Sequence, residues 1–85
     1  MTASYYSLIR QAHDGQYVGW MPDLPGIMVF GVSESEILHR LMRDARELLD
    51  KIAAKGLPLP RPSAAADLPL GDHRGRYQRF LLTLA

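Results

Sequence analysis

Nine carboxylates, three histidines and no cysteine are the proton-handling and metal-binding side chains of this 85-residue chain. Hydrolysis on two metal ions needs several carboxylates converging within a few ångströms. The three runs that read as strands, 5–12, 16–21 and 27–32, contain neither Asp nor Glu. Asp14 and Asp23 fall in turns, where a carboxylate ordinarily bonds its own backbone. His13 belongs to a hairpin loop, His39 to a helix among arginines and His73 to a polar loop, so they make no ligand pattern and read as solvated. Ser33 has no base beside it, and a helix N-cap explains it fully. The lack of cysteine removes disulfides and thiolate zinc sites. No catalytic, cofactor-binding or metal-binding residue is assigned, and the chain is not expected to be an enzyme.

Recognition remains. Trp20 is the only tryptophan, and tryptophan is enriched among interface anchors, although a lone one in a small β-rich domain also serves as core. It is followed by Met21-Pro22-Asp23-Leu24-Pro25-Gly26, two prolines and a glycine that force a rigid corner. Pro22 cannot donate to a ladder, Asp23 suits an Asx turn, and Pro25-Gly26 suits the centre of a type II turn. Such a corner should stand exposed, and a rigid loop binds with little ordering cost. Trp20, Asp23, Leu24 and Pro25 are therefore the candidate partner-binding residues, with a purely structural turn as the alternative. Nucleic acid is the second kind of partner to weigh. The formal net charge is only +1, so the whole chain does not present a basic field. Four arginines (Arg61, Arg74, Arg76, Arg79) against Asp67 and Asp72 make a weakly basic tail. Arg40, Arg43 and Arg46 lie on adjacent helical turns, where Arg40–Asp44 and Arg46–Asp50 pairs should neutralise them.

These residues must be positioned by a short chain. Residues 5–12 read as a strand, Asp14-Gly15 as a hairpin turn, 16–21 as the returning strand, and 27–32 as a third strand beyond the corner. An antiparallel meander is the economical arrangement. Tyr5, Ser7 and Ile9 share one side and Tyr6, Leu8 and Arg10 the other. Both sides carry apolar groups, so which is core cannot be read directly, and a helix can cover only one. Ser33 with Glu36 forms a capping box, and Leu38, Leu41, Met42, Ala45, Leu48, Leu49 and Ile52 make an apolar stripe at helical spacing. Glu47 and Lys51 suit an i,i+4 pair. Gly56, then Pro58 and Pro60, end the helix, which should run from Glu34 to Lys55. Residues 57–70 read as a Pro- and Ala-rich extended linker. Arg79–Leu84 is apolar enough for a fourth strand or a helical turn, and a strand is expected because the sheet has an open edge to fill. The fold class is α+β: a three-stranded antiparallel meander on one long helix, with a short fourth strand at the C-terminus.

A single domain of this size buries only about 60% of its unfolded surface, so a homo-oligomer or another partner is expected to stabilise it. There is no basic-then-apolar leader and no apolar run near the roughly 18 residues of a membrane span. A cytoplasmic protein without membrane contact is expected.

In their order, these pieces resemble the HicB-type antitoxins of bacterial toxin–antitoxin pairs. Gly15-Gln16-Tyr17-Val18-Gly19-Trp20-Met21-Pro22-Asp23-Leu24-Pro25-Gly26 is similar to that family's hairpin and Pro-Asp-Leu-Pro-Gly segment. Gly31-Val32-Ser33-Glu34-Ser35-Glu36 is similar to its Gly-x-Thr-x-x-Glu helix start, and Gly56 to Ser63 to its Gly-x-x-x-Pro-x-Pro-Ser exit. The resemblance implies a partial ribonuclease-H-like fold and a role: binding and masking a small basic, HicA-type toxin that cleaves messenger RNA. It implies a HicB-like domain over residues 1–63, with 64–85 as a short extension that completes the sheet. Family members often add a DNA-binding domain, and the 22 residues after Ser63 are too few for a helix-turn-helix unit. Operator binding is therefore not expected. A nucleic-acid-binding regulator and a self-associating domain without a toxin are the alternatives. Ile37-Leu38 is bulkier than the family's usual Ala-Leu pair, a change that bears on helix-to-sheet spacing.

Overall fold

The computed structural model describes residues 3–64 and 77–84. Four strands, β1 (Ala3–Gln11), β2 (Tyr17–Trp20), β3 (Met28–Gly31) and β4 (Gln78–Leu84), form one antiparallel sheet in the order β3-β2-β1-β4. Among the described residues one helix, α1 (Glu34–Ala54), lies across one face. The expected α+β architecture is present, and the apolar C-terminal run is the fourth strand, paired with β1 from Ala3↔Leu84 to Ile9↔Gln78.

The hairpin between β1 and β2 is a three-residue loop, His13-Asp14-Gly15, with Gly15 at φ 88°. The Ala12 N–H donates to Gln16 O at 2.7 Å, and the Gln16 N–H donates to Asp14 Oδ1 at 3.0 Å. The positive φ is the reason glycine is needed there. The loop sets the register Leu8↔Trp20 and Arg10↔Val18, and register decides which side chains share a face.

The helix begins as its sequence predicts. Ser33 Oγ accepts from the Glu36 N–H at 3.2 Å. Glu36 reaches back one residue further than in the usual box, with Oε2 accepting from the Val32 N–H at 3.1 Å. The far end is a Schellman motif: Gly56 has φ 71°, its N–H donates to Ala53 O, and the Leu57 N–H donates to Ile52 O.

The helix buries Ile37, Leu41, Ala45 and Leu49, while Leu38, Met42 and Leu48 pack half-buried around them. The predicted stripe omitted Ile37, which is fully buried. A Cβ on Gly19 would collide with Ile37 Cγ2 and stand 3.1 Å from Leu41 Cδ1; one on Gly31 would stand 3.2 Å from Ile37 Cδ1. Two strand glycines thus open a socket for the bulky side chain at the first turn of the helix. The expected Arg40–Asp44 pair is replaced by Arg40–Glu36, with Arg40 Nη2 at 2.7 Å from Glu36 Oε1. Asp44 meets Arg43 at 3.4 Å. Among the described residues, neither Arg46–Asp50 nor Glu47–Lys51 forms an ion pair.

Two cores result. Beneath the helix lie Tyr5, Ile9, Met21, Leu24, Val29 and Leu84 with the helix side chains. On the opposite face Leu8, Val18 and Trp20 are buried, flanked by half-buried Tyr6 and Tyr77. Both sides of β1 are apolar because each has its own cluster.

Candidate functional site

The proline corner folds as two successive turns. The Leu24 N–H donates to Met21 O at 3.0 Å, and the Ile27 N–H donates to Leu24 O at 3.3 Å around Pro25-Gly26, with Gly26 at φ 92°. The second is the type II turn that the sequence suggests. The corner is clamped from outside by the chain leaving the helix. Asp23 accepts from the Ser63 N–H at Oδ2 and from Ser63 Oγ at Oδ1, both at 2.7 Å. Tyr5 is buried, and its hydroxyl donates to Pro60 O at 2.6 Å. Burial first, and then the negative charge of Asp23, push the Tyr5 phenol above its ordinary value. The carboxylate and the phenol therefore tie the corner and the Pro-rich exit to the sheet.

This divides the sequence-predicted residues. Leu24, expected to be exposed, is wholly buried beneath the helix. Asp23 is partly buried and occupied by Ser63. Pro25 is exposed. Trp20 belongs to the opposite face, where it is buried beside Leu8 and Val18. The four residues are contiguous in sequence but do not make one surface.

The surface beside Trp20 is made by residues that the sequence reading did not single out. Met28 and Phe30 are 52% and 58% exposed. In register Met28 stands beside Trp20 and Phe30 beside Val18. Together with Arg10 they line a groove of about 300 Å³, with Asp14 and Gln16 at its hairpin end. Leu81, 55% exposed, stands beside Tyr6 on the same face. Alternation within Met28-Val29-Phe30 was the available signal, since Val29 is buried under the helix while its two neighbours point away.

Among the described residues, no three His, Asp or Glu side chains come together as a metal site would require. His13 and His39 are exposed and separate; His73, Arg74 and Arg76 lie outside the described residues. No described helix is long and apolar enough to cross a membrane. The groove lining is apolar at Val18, Trp20, Met28 and Phe30, with Arg10, Asp14 and Gln16 as polar groups beside them.

The described fold is a four-stranded antiparallel sheet carrying one capped helix on a single face. The chain is similar to a solved structure, the N-terminal domain of the Burkholderia pseudomallei antitoxin HicB. The TM-score is 0.79 at 12% identity, covering 94% of this chain and 95% of that one. At that identity the likeness is one of fold. No protein-family model matches the sequence, and a comparison with curated proteins gives no match.

Proposed function

We propose that this chain is a non-enzymatic, cytoplasmic, antitoxin-like protein that masks a small basic, HicA-type, mRNA-cleaving toxin by direct contact. The observation that carries the reading is the sheet face opposite the helix, where Met28 and Phe30 stand exposed beside buried Trp20. The fold shared with a HicB N-terminal domain supports it. An exposed apolar patch on a small soluble domain marks a contact surface when it lies on a rigid element. The groove is rimmed by both Arg10 and Asp14, so contact there is led by apolar fit rather than by one sign of charge. Trp20 supports the patch from below, and the side chains that enter the partner are Met28 and Phe30. Asp23 and Leu24 hold the corner in shape, and Pro25 is exposed on it, outside this groove.

The test is a search for a small basic protein encoded beside this chain, then co-expression with it, copurification and a growth assay; the absence of such a protein counts against the role. Wild-type chain should copurify and relieve growth arrest. Met28→Ser with Phe30→Ser should lose the complex at unchanged folded content. If the neighbouring protein is not bound, or the double substitution binds as wild type, the toxin-masking role or its assignment to this face fails respectively.

A further inference from the structure

The two edges of the sheet are finished differently. At one end, β3 has four residues, and its Phe30 carbonyl accepts from Arg40 Nη1 at 2.9 Å. Arg40 is itself held by Glu36. A short strand with a carbonyl already occupied is a poor template for another strand. At the other end, β4 runs for seven residues and no described strand lies beyond it. It carries no proline and no residue out of β geometry, and the half-exposed Leu81 sits at its centre.

The direction of the β4 backbone groups follows from one hydrogen bond. Ser7 Oγ donates to Phe80 O at 3.1 Å across the Ser7↔Phe80 pair. That carbonyl therefore faces β1. Backbone groups alternate along an antiparallel strand, so Gln78, Phe80, Leu82 and Leu84 face β1, while Arg79, Leu81 and Thr83 turn their N–H and C=O outward. The outward residues are self-complementary. A two-fold axis through Leu81 sets Leu81 against its own copy and Arg79 against Thr83. Each of these is a pair that exchanges both backbone hydrogen bonds. The same register sets Phe80 against Leu82 on the helix side, continuing the apolar layer there. Registers centred on Arg79 or Thr83 use less of the strand, and the first brings two arginines face to face.

We propose that two copies of this chain join edge to edge through β4, antiparallel and centred on Leu81, into one eight-stranded sheet with both helices on the same side. The order becomes β3-β2-β1-β4-β4-β1-β2-β3. This puts the two β3 ends, with their Met28–Phe30 grooves, at the outer limits of the sheet, free for other contacts. The joined sheet ends at both sides on the four-residue β3 instead of on the seven-residue β4, and a domain of this size gains the burial that it lacks alone.

Sedimentation of the full chain at micromolar concentration reads this directly. Wild type should sediment at twice the 9.5 kDa chain mass. Leu81→Pro removes an N–H that faces outward, so the β1–β4 ladder stays intact. That variant should fall to the chain mass with its circular dichroism unchanged, whereas Leu82→Pro, whose N–H faces β1, should lose the fold. Charge provides a second handle should proline disturb the strand. Leu81→Lys and Leu81→Glu should each be monomeric, because like charges meet on the axis, and an equimolar mixture should recover the double mass. Wild type at the chain mass overturns the proposal, as does a double mass retained by Leu81→Lys. The readout is mass alone, so it is independent of whether a toxin is bound.

Discussion

The two faces of the sheet are built by opposite means. The helix-side face is closed by interlocking shapes: Ile37 seats over Gly19 and Gly31, and Leu41, Ala45 and Leu49 continue the row over Ile9, Met21 and Val29. Polar clamps at its rim, Asp23 to Ser63 and Tyr5 to Pro60, fix the connecting segments. The opposite face has a smaller core of Leu8, Val18 and Trp20, and leaves Met28, Phe30 and Leu81 half in solvent. One face spends its side chains on a single folded state. The other keeps large apolar groups on rigid strands where a second surface can reach them. Stability and binding should therefore separate cleanly by face.

The sharpest way to break the closed face is to fill its socket. Gly19→Ala puts a methyl group where Ile37 Cγ2 already stands. Overpacking of this kind costs about 1–3 kcal/mol, enough to lower the midpoint of urea unfolding markedly in a small domain. Ile37→Ala alone leaves a void and costs about 2–5 kcal/mol. The double variant should be more stable than the sum of the two losses predicts, because the new methyl enters the space vacated by the isoleucine. Additive losses would mean that Gly19 and Ile37 do not share that space.

A smaller loss is expected at the clamp. Asp23→Ala leaves the Ser63 N–H and hydroxyl without their acceptor, at a cost of about 1–3 kcal/mol by the usual penalty for a stranded donor. The partial exposure of the pair places it at the lower end. Ser63→Ala removes only one of the two bonds and should cost less. Thermal unfolding of the two variants separates them, and an equal loss would show that Ser63 Oγ carries the whole interaction. Neither change touches the open face, so partner binding by the folded fraction should be unaltered.

The parts of this fold that are legible in sequence are those decided locally. Ser33 with Glu36, Gly56 before Pro58, and Pro25-Gly26 each specify a cap or a turn from neighbours within a few residues, and each is found where the sequence puts it. The fourth strand was legible for a different reason: an apolar segment was needed beside β1, and Gln78–Leu84 fills that place. The faces of the meander were not legible. Asp14-Gly15 marks a turn without fixing whether two or three residues lie in the loop. One residue of slip would carry Val18 and Trp20 to the helix side. The role of Ile37 was hidden because its socket is formed by Gly19 and Gly31, distant in sequence and unremarkable alone. Contiguity misled in the corner, where Trp20 and Leu24 are four residues apart and yet belong to opposite cores.

The smallest effect on stability is expected where the largest effect on binding is proposed. Met28 and Phe30 already expose more than half their surface, so replacing both with Ser removes little buried area. Surface substitutions away from caps, cores and clamps ordinarily stay within about 0.5 kcal/mol. The strand register does not depend on these side chains alone, because Val29 between them remains seated under the helix. Urea unfolding of the Met28→Ser, Phe30→Ser protein should therefore overlay the wild-type curve in midpoint and slope. A midpoint shift comparable to that of Gly19→Ala would mean that this patch is part of the core, and the division of labour between the faces would fall. An unchanged midpoint with lost partner binding places stability on the helix side and recognition on the other.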